Sequence, residues 1–187
     1  MEGVNFSERI NFFIQNAFAH YWLGETYFEI GEYQRSKDHY RNSIWFTEHG
    51  GFLPSWVYLI KTGLARAKVM NNEKDIDLEP LYGYLTENRI KAYDGQIRRY
   101  VGEILLNIDD QHMSEAGDWI KEAIETDEKN GMMWHLGSDY SLCAQMFKLK
   151  GDQTKARENL SKAIEIFKEC GADGWLAQAE KELASLS

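Results

Sequence analysis

The sequence predicts an all-α fold: an α-α superhelix (right-handed solenoid) of four antiparallel helix pairs plus a C-terminal capping helix. Three observations predict it. The first is a ladder with a step of 40. Ser36, Ile76, Ala116 and Ala156 are evenly spaced, and so are Tyr40, Pro80, Ile120 and Leu160; Ser43, Gly83, Ala123 and Ala163; and Ile44, Tyr84, Ile124 and Ile164. A fixed period of about 20–50 residues marks a repeat array, in which each unit buries its apolar face only against its neighbours. The second is the spacing within each rung, three or four residues, which is one face of a helix; the third column holds only Ser, Gly or Ala, as close helix contact requires. The third is composition: two prolines in 187 residues, with 43% hydrophobic and 13% aromatic residues, describes a folded chain with few helix breakers.

The elements follow in order. Ser7 or Asn5 caps a first helix that runs to about Ile30, where Gly31 ends it. Tyr33 to about Thr47 forms the second helix and carries the first rung, and Gly50-Gly51 is the clearest break in the chain. Pro54 opens a third helix that runs to Met70, before the turn residues Asn71-Asn72. The fourth helix, about Asp75 to Leu85, is the weakest: Pro80 either occupies its first turn and shortens it, or kinks it. A helix from about Arg89 to Ile108 ends at the polar turn Asp109-Asp110-Gln111, and Met113 to about Thr126 carries the third rung. After Asn130-Gly131 a long helix spans Met132 to Lys150, Gly151 ends it, and Asp152 to Glu169 carries the fourth rung. Beyond Gly171 an amphipathic helix, Trp175 to Leu186, closes the stack so that the last apolar face is not left in water. The expected organisation is a single domain, 1–187, with repeats at about 7–49, 54–87, 89–127 and 131–169 and a cap at 175–186.

These residues resemble the tetratricopeptide repeat family. Leu23-Gly24, Tyr27, Gly31, Tyr33, Ser36, Tyr40 and Ser43 follow its order of large and small positions. Val101-Gly102, Leu105, Ala116, Ile120 and Ala123 follow it again with two extra turn residues, and Ala144, Phe147, Gly151, Ala156, Leu160 and Ala163 a third time. The second unit fits poorly, since Pro80 stands where a large apolar residue belongs. The period of 40 exceeds the family's usual 34 and implies longer helices. The stretch from Gly151-Asp152 to Gly171-Ala172-Asp173-Gly174-Trp175-Leu176 is similar to the closing repeats of large bacterial signalling proteins, where a helical tail follows a cyclase, kinase or ATPase module.

The resemblance implies a concave groove lined by the first helix of each pair. Carried over by register, the lining residues are Tyr21, Glu25, Phe28 and Glu29; Tyr58, Lys61, Ala65 and Lys68; Arg99, Glu103 and Asn107; and Ser141, Gln145 and Lys148. Lys61, Lys68, Arg99 and Lys148 then suit an acidic peptide segment or its terminal carboxylate; the alternative is that they are ordinary solvated side chains. Fifteen of the twenty-five aromatic residues lie in the first 58 positions. Phe6, Phe12, Phe13, Phe18, Tyr21, Trp22 and Phe28 occupy nearly every side of the first helix, so either this end docks, as in a homodimer, or the second helix and residues 52–60 wrap it.

The formal charge of −9 repels a phosphate backbone and an anionic bilayer alike, so neither nucleic acid nor membrane is an expected partner. No apolar run approaches the roughly 20 residues of a membrane span, and the first residues lack the features of a secretion signal, which makes the cytosol the expected address. Cys143 and Cys170 sit in no C-x-x-C and read as buried or half-buried thiols. The histidines offer no i, i+4 pair with a third ligand, and no nucleotide-binding or hydrolase motif occurs, so no cofactor, metal or catalytic residue is expected. The expected function is a non-catalytic protein- or peptide-binding scaffold in a signalling assembly. The alternative is a sensory repeat domain that binds a small molecule or signal peptide, or the regulatory tail of a larger signalling enzyme.

Overall fold

The computed structural model describes the backbone of residues 2–186 and the side chains of residues 12–186. Among the described residues there are nine α-helices and no strand: α1 (Glu2–Glu29), α2 (Tyr33–Gly50), α3 (Pro54–Met70), α4 (Glu79–Glu87), α5 (Asp94–Ile108), α6 (Met113–Asn130), α7 (Met133–Leu149), α8 (Gln153–Glu169) and α9 (Asp173–Ser185). The chain divides into two compact units, residues 1–90 with α1 to α4 and residues 91–187 with α5 to α9. Within each of its two units, helices adjacent in sequence pack on one another, an all-α repeat arrangement.

The ladder lies where close helix contact occurs. Ser36, Tyr40 and Ser43 on α2, Ala116, Ile120 and Ala123 on α6, and Ala156, Leu160 and Ala163 on α8 are all buried. Tyr40 and Ile120 each face a glycine on the preceding helix. A Cβ on Gly24 would lie 2.8 Å from the Tyr40 ring, and one on Gly102 would lie 2.8 Å from Ile120. In the last pair Ala144 packs with Leu160 and Phe167. In the first pair the small residues also hydrogen-bond across the contact: Ser36 Oγ donates to the Gly24 carbonyl at 2.8 Å and Ser43 Oγ to the Ala17 carbonyl at 2.7 Å.

The helix ends repeat as well. After α1 and α7, Gly31 and Gly151 take φ of 79° and 76°, a left-handed conformation nearly free for glycine. The next amide then closes back on the last turn, Glu32 N–H to the Tyr27 carbonyl and Asp152 N–H to the Phe147 carbonyl, both at 2.9 Å or less.

The second rung is where the pattern fails. Pro80 lies in the first turn of α4, which is nine residues long and not kinked. Ile76 precedes the helix, Pro80 is exposed, and neither Gly83 nor Tyr84 is buried. Two further boundaries differ from expectation. The α1 helix begins at Glu2, so Asn5 and Ser7 lie within it rather than capping it. The helix expected from Arg89 begins only at Asp94 because Asn88 holds an extended turn, its side chain accepting from Ile90 N–H at 3.1 Å and donating to the Ile90 carbonyl at 2.8 Å.

Candidate functional site

In the first unit α1 is divided into three arcs. The arc with Ala17, His20, Gly24 and Tyr27 meets α2 through the serine bonds, the Tyr40 ring, a Tyr27–His39 stack at 5.2 Å and a His20–Phe46 stack at 5.5 Å. The arc with Phe18, Tyr21, Glu25 and Phe28 meets α3. There Trp56 lies 4.7 Å from the Phe18 ring and 4.6 Å from the Tyr21 ring. The Arg66 guanidinium sits 3.5 Å over the Phe28 ring and 3.4 Å from Glu25, which also accepts the Tyr40 hydroxyl. Three residues expected to line an open groove are therefore packed: Tyr21 and Phe28 are buried, and only 14% of the Glu25 side chain is exposed. Register located them on the correct helix, but α3 occupies the side they face. The third arc stays open and carries Phe12, Ala19, Trp22, Leu23, Thr26 and, just past the helix end, Ile30. Wrapping by α2 and α3 thus accounts for Phe13, Phe18, Tyr21 and Phe28; Phe12 touches Phe46 of α2 edge-on at 6.0 Å yet stays mostly exposed, as does Trp22, and the side chain of Phe6 lies outside the described residues.

On α3 the expected residues separate by exposure. Ala65 is buried, whereas Tyr58, Lys61 and Lys68 are half-buried along one stripe. Tyr58 stacks on Tyr84 with ring centroids 5.0 Å apart and donates to Glu87 Oε2 at 2.6 Å, which pushes its own pKa up. Lys61 pairs with Glu48 at 2.9 Å, with 38% and 49% of the two side chains exposed; such an exposed pair contributes little and exchanges partners readily. Beside Tyr58 opens a cleft of about 620 Å³ lined by Leu53, Pro54, Ser55, Glu87 and Arg89 among others. Its floor is set by Leu53, a non-glycine residue at φ 45°, and by Ser55 Oγ accepting the Arg89 amide at 3.0 Å.

In the second unit Arg99 does not line a groove. It is buried in an ion pair with Asp139 at 3.2 Å and donates to the His135 carbonyl at 3.2 Å. Asp139 on α7 lies near Asp127 on α6, also fully buried, and neither Asp127 oxygen nor Asp139 Oδ2 has a hydrogen-bond partner among the described residues. Burial, opposed by Arg99 and reinforced by Asp127, pushes the Asp139 carboxyl up to about 8, and burial raises Asp127 as well. Burial and then the Arg99 charge lower His135 to about 3. The site accepts this pair only because residue 95 has no side chain: a Cβ there would lie 1.9 Å from Asp127 Oδ1. Sequence reasoning missed both buried networks. Their one visible trace is a charge within an apolar stretch, Arg66 in α3 and Arg99 in α5.

The remaining expected residues lie at the surface or near it. Glu103 is half-buried on α5, and Gln145 and Lys148 are exposed on α7, where with Ala144, Leu149, Leu160, Glu182 and Leu186 they line a depression of about 320 Å³. Cys143 is half-buried, its thiol pushed up to about 11 by burial, but Cys170 is exposed rather than covered. Among the described residues no three His, Cys, Asp or Glu side chains gather as a metal-binding set, although His20 and His39 bring their Nδ1 atoms within 2.9 Å. No described helix is long and apolar enough to cross a membrane. No protein-family model matches the chain, and no curated protein matches it.

Proposed function

We propose that the chain is a non-catalytic, tetratricopeptide-like scaffold of a cytosolic signalling assembly that binds a protein or peptide segment, and that the contact surface of the first unit is the α3 stripe of Tyr58, Lys61 and Lys68 with its adjoining cleft. The observation that carries the reading is this stripe: an aromatic ring and two ammonium groups left half-open on a helix whose Leu59, Ile60 and Ala67 are buried. An extended acidic segment is the ligand class that suits it. Lysines offer a carboxylate several donors, and the Tyr58–Tyr84 stack gives an apolar neighbour a flat surface. Buried Arg99 takes no part.

The test is capture of partners from the native cell by the intact chain, repeated with Lys61→Glu and Lys68→Glu together. Loss of a partner with the fold unchanged supports the stripe; a partner set identical in the two captures overturns it. The cleft also favours a second reading, binding of a small molecule, because about 620 Å³ falls within the range of small-ligand sites. A compound that raises the melting temperature of the native chain but not of Tyr58→Ala decides for that reading.

A further inference from the structure

The open arc of α1 carries a different binding surface from the α3 stripe. Its large side chains are exposed to an extent unusual for apolar residues: Phe12 55%, Trp22 61%, Leu23 40% and Ile30 64%. They run along one side of a single helix for about 27 Å, at ~1.5 Å per residue. The solvent side of a surface helix is ordinarily polar. The outer residues of α9, with Glu180, Lys181 and Glu182 exposed, conform; those of α1 do not. We infer that this face of α1 pairs with the same face of a second copy of the chain, the two α1 helices lying antiparallel.

Three properties select a second copy as the occupant. The first is charge. The chain carries a net −9, and two such chains repel at most approaches, yet α1 contains no Asp, Glu, Lys or Arg between Arg9 and Glu25. Among the described residues of α1 the arc carries one exposed carboxylate at its rim, Glu29, which antiparallel pairing sets against residue 13 of the other copy rather than against a like charge. The second is self-complementarity, which a two-fold interface requires. Antiparallel pairing about an axis at Tyr21 sets Phe12 of one copy against Ile30 of the other, large against large at both ends. It sets Ala19 against Leu23 near the centre, where the small residue lets the helices approach to about 8–10 Å. The two Trp22 side chains then meet beside the axis. The third is area. At roughly 150–250 Å² per large side chain, the four exposed residues leave on the order of 450 Å² open on each copy. With the flanking Gln15, Asn16 and Thr26 added from both copies, the pair reaches the roughly 1,200 Å² at which specific interfaces begin.

The test is sedimentation equilibrium of the full chain, with helicity by circular dichroism recorded on every variant. The native chain is expected to dimerise at about 100 μM, above the micromolar limit of weak standard-size interfaces. Trp22→Glu places like charges beside the axis and is expected to raise the dissociation constant at least tenfold with helicity unchanged, since the side chain is mostly in water already. The register has its own readout. Phe12→Lys and Ile30→Glu each weaken the dimer alone, whereas the double variant forms two Lys–Glu pairs across the axis and recovers it. A native monomer at that concentration, or a dimer indifferent to Trp22→Glu, overturns the proposal. A double variant no better than either single overturns the antiparallel pairing. Because none of these substitutions touches the α3 stripe, their failure leaves the partner-capture test standing, and the reverse holds.

Discussion

Asp139 and Asp127 are buried together where α7 meets α6, Asp139 paired with Arg99 and Asp127 filling the space that a side chain at Gly95 would need. A single guanidinium does not balance two buried carboxylates, and in a dry environment the cheaper arrangement is to keep one of them protonated.

The pH dependence follows with its sign. The Asp139 carboxyl sits at about 8 when folded against an ordinary 3.8, so the folded chain holds a proton that the unfolded chain has lost. That contribution is complete below about 4, falls as pH rises, and is gone above about 8. His135, depressed to about 3 from 6.5, acts in the opposite direction and only below 6.5. The expected melting temperature therefore declines between pH 6.5 and 8.5, where Asp139 acts without that opposition. In Asp139→Asn the decline disappears. A native melting temperature that is flat or rising across this window excludes the raised Asp139 carboxyl.

Gly95→Ala is expected to destabilise by about 2 kcal/mol or more, against the gain of ~1 kcal/mol that the same change ordinarily brings inside a helix, because the new methyl collides with the Asp127 carboxylate. Gly83→Ala in α4 is the control, since nothing lies within 4 Å of its added Cβ. Urea titration of both variants checks the contrast, and equal effects would remove the steric account.

Arg66→Met keeps the length of the side chain but leaves Glu25 without its cation and Phe28 without its overlying charge. The expected cost is about 3 kcal/mol, typical of one partner removed from a buried pair. Adding Glu25→Gln recovers part of it, as a double-mutant cycle in urea will show. A cost below ~1 kcal/mol would reclassify the pair as a surface contact.

Thiol labelling at pH 8 is expected to be biphasic. Exposed Cys170 reacts rapidly, and half-buried Cys143, with its thiol at about 11, reacts slowly because both access and thiolate fraction are low. Cys170→Ser removes only the fast phase. A single phase for the native chain would contradict the burial of Cys143.

The helices that carry the ladder were legible because their contacts are local in pattern: Ala116, Ile120 and Ala123 share a face by spacing alone. Pro80 marked α4 as either short or kinked, and the helix is short. The start of α5 was hidden, because it depends on the Asn88 side chain choosing its own backbone over the helix. The groove was half legible. A register transfers a position from one repeat to another, but whether Tyr21 faces solvent or Trp56 depends on where α3 lands, a contact 35 residues away. Arg99 failed for a similar reason, since its partner Asp139 lies 40 residues downstream, and a cation counted toward an acidic ligand was already spent on an internal one.

The serine bonds of the first pair give the ladder a mechanical meaning. Ser36 and Ser43 are seven residues apart on α2, and the carbonyls they hold, Gly24 and Ala17, are seven apart on α1. Two pins at equal spacing on facing rods block both axial sliding and rotation. The later pairs carry alanine at these positions, so no side-chain hydrogen bond crosses the ladder itself in α6 or α8. Within the first unit, α1 and α2 therefore behave as one pinned body, and sliding of one on the other requires both serine bonds to break together.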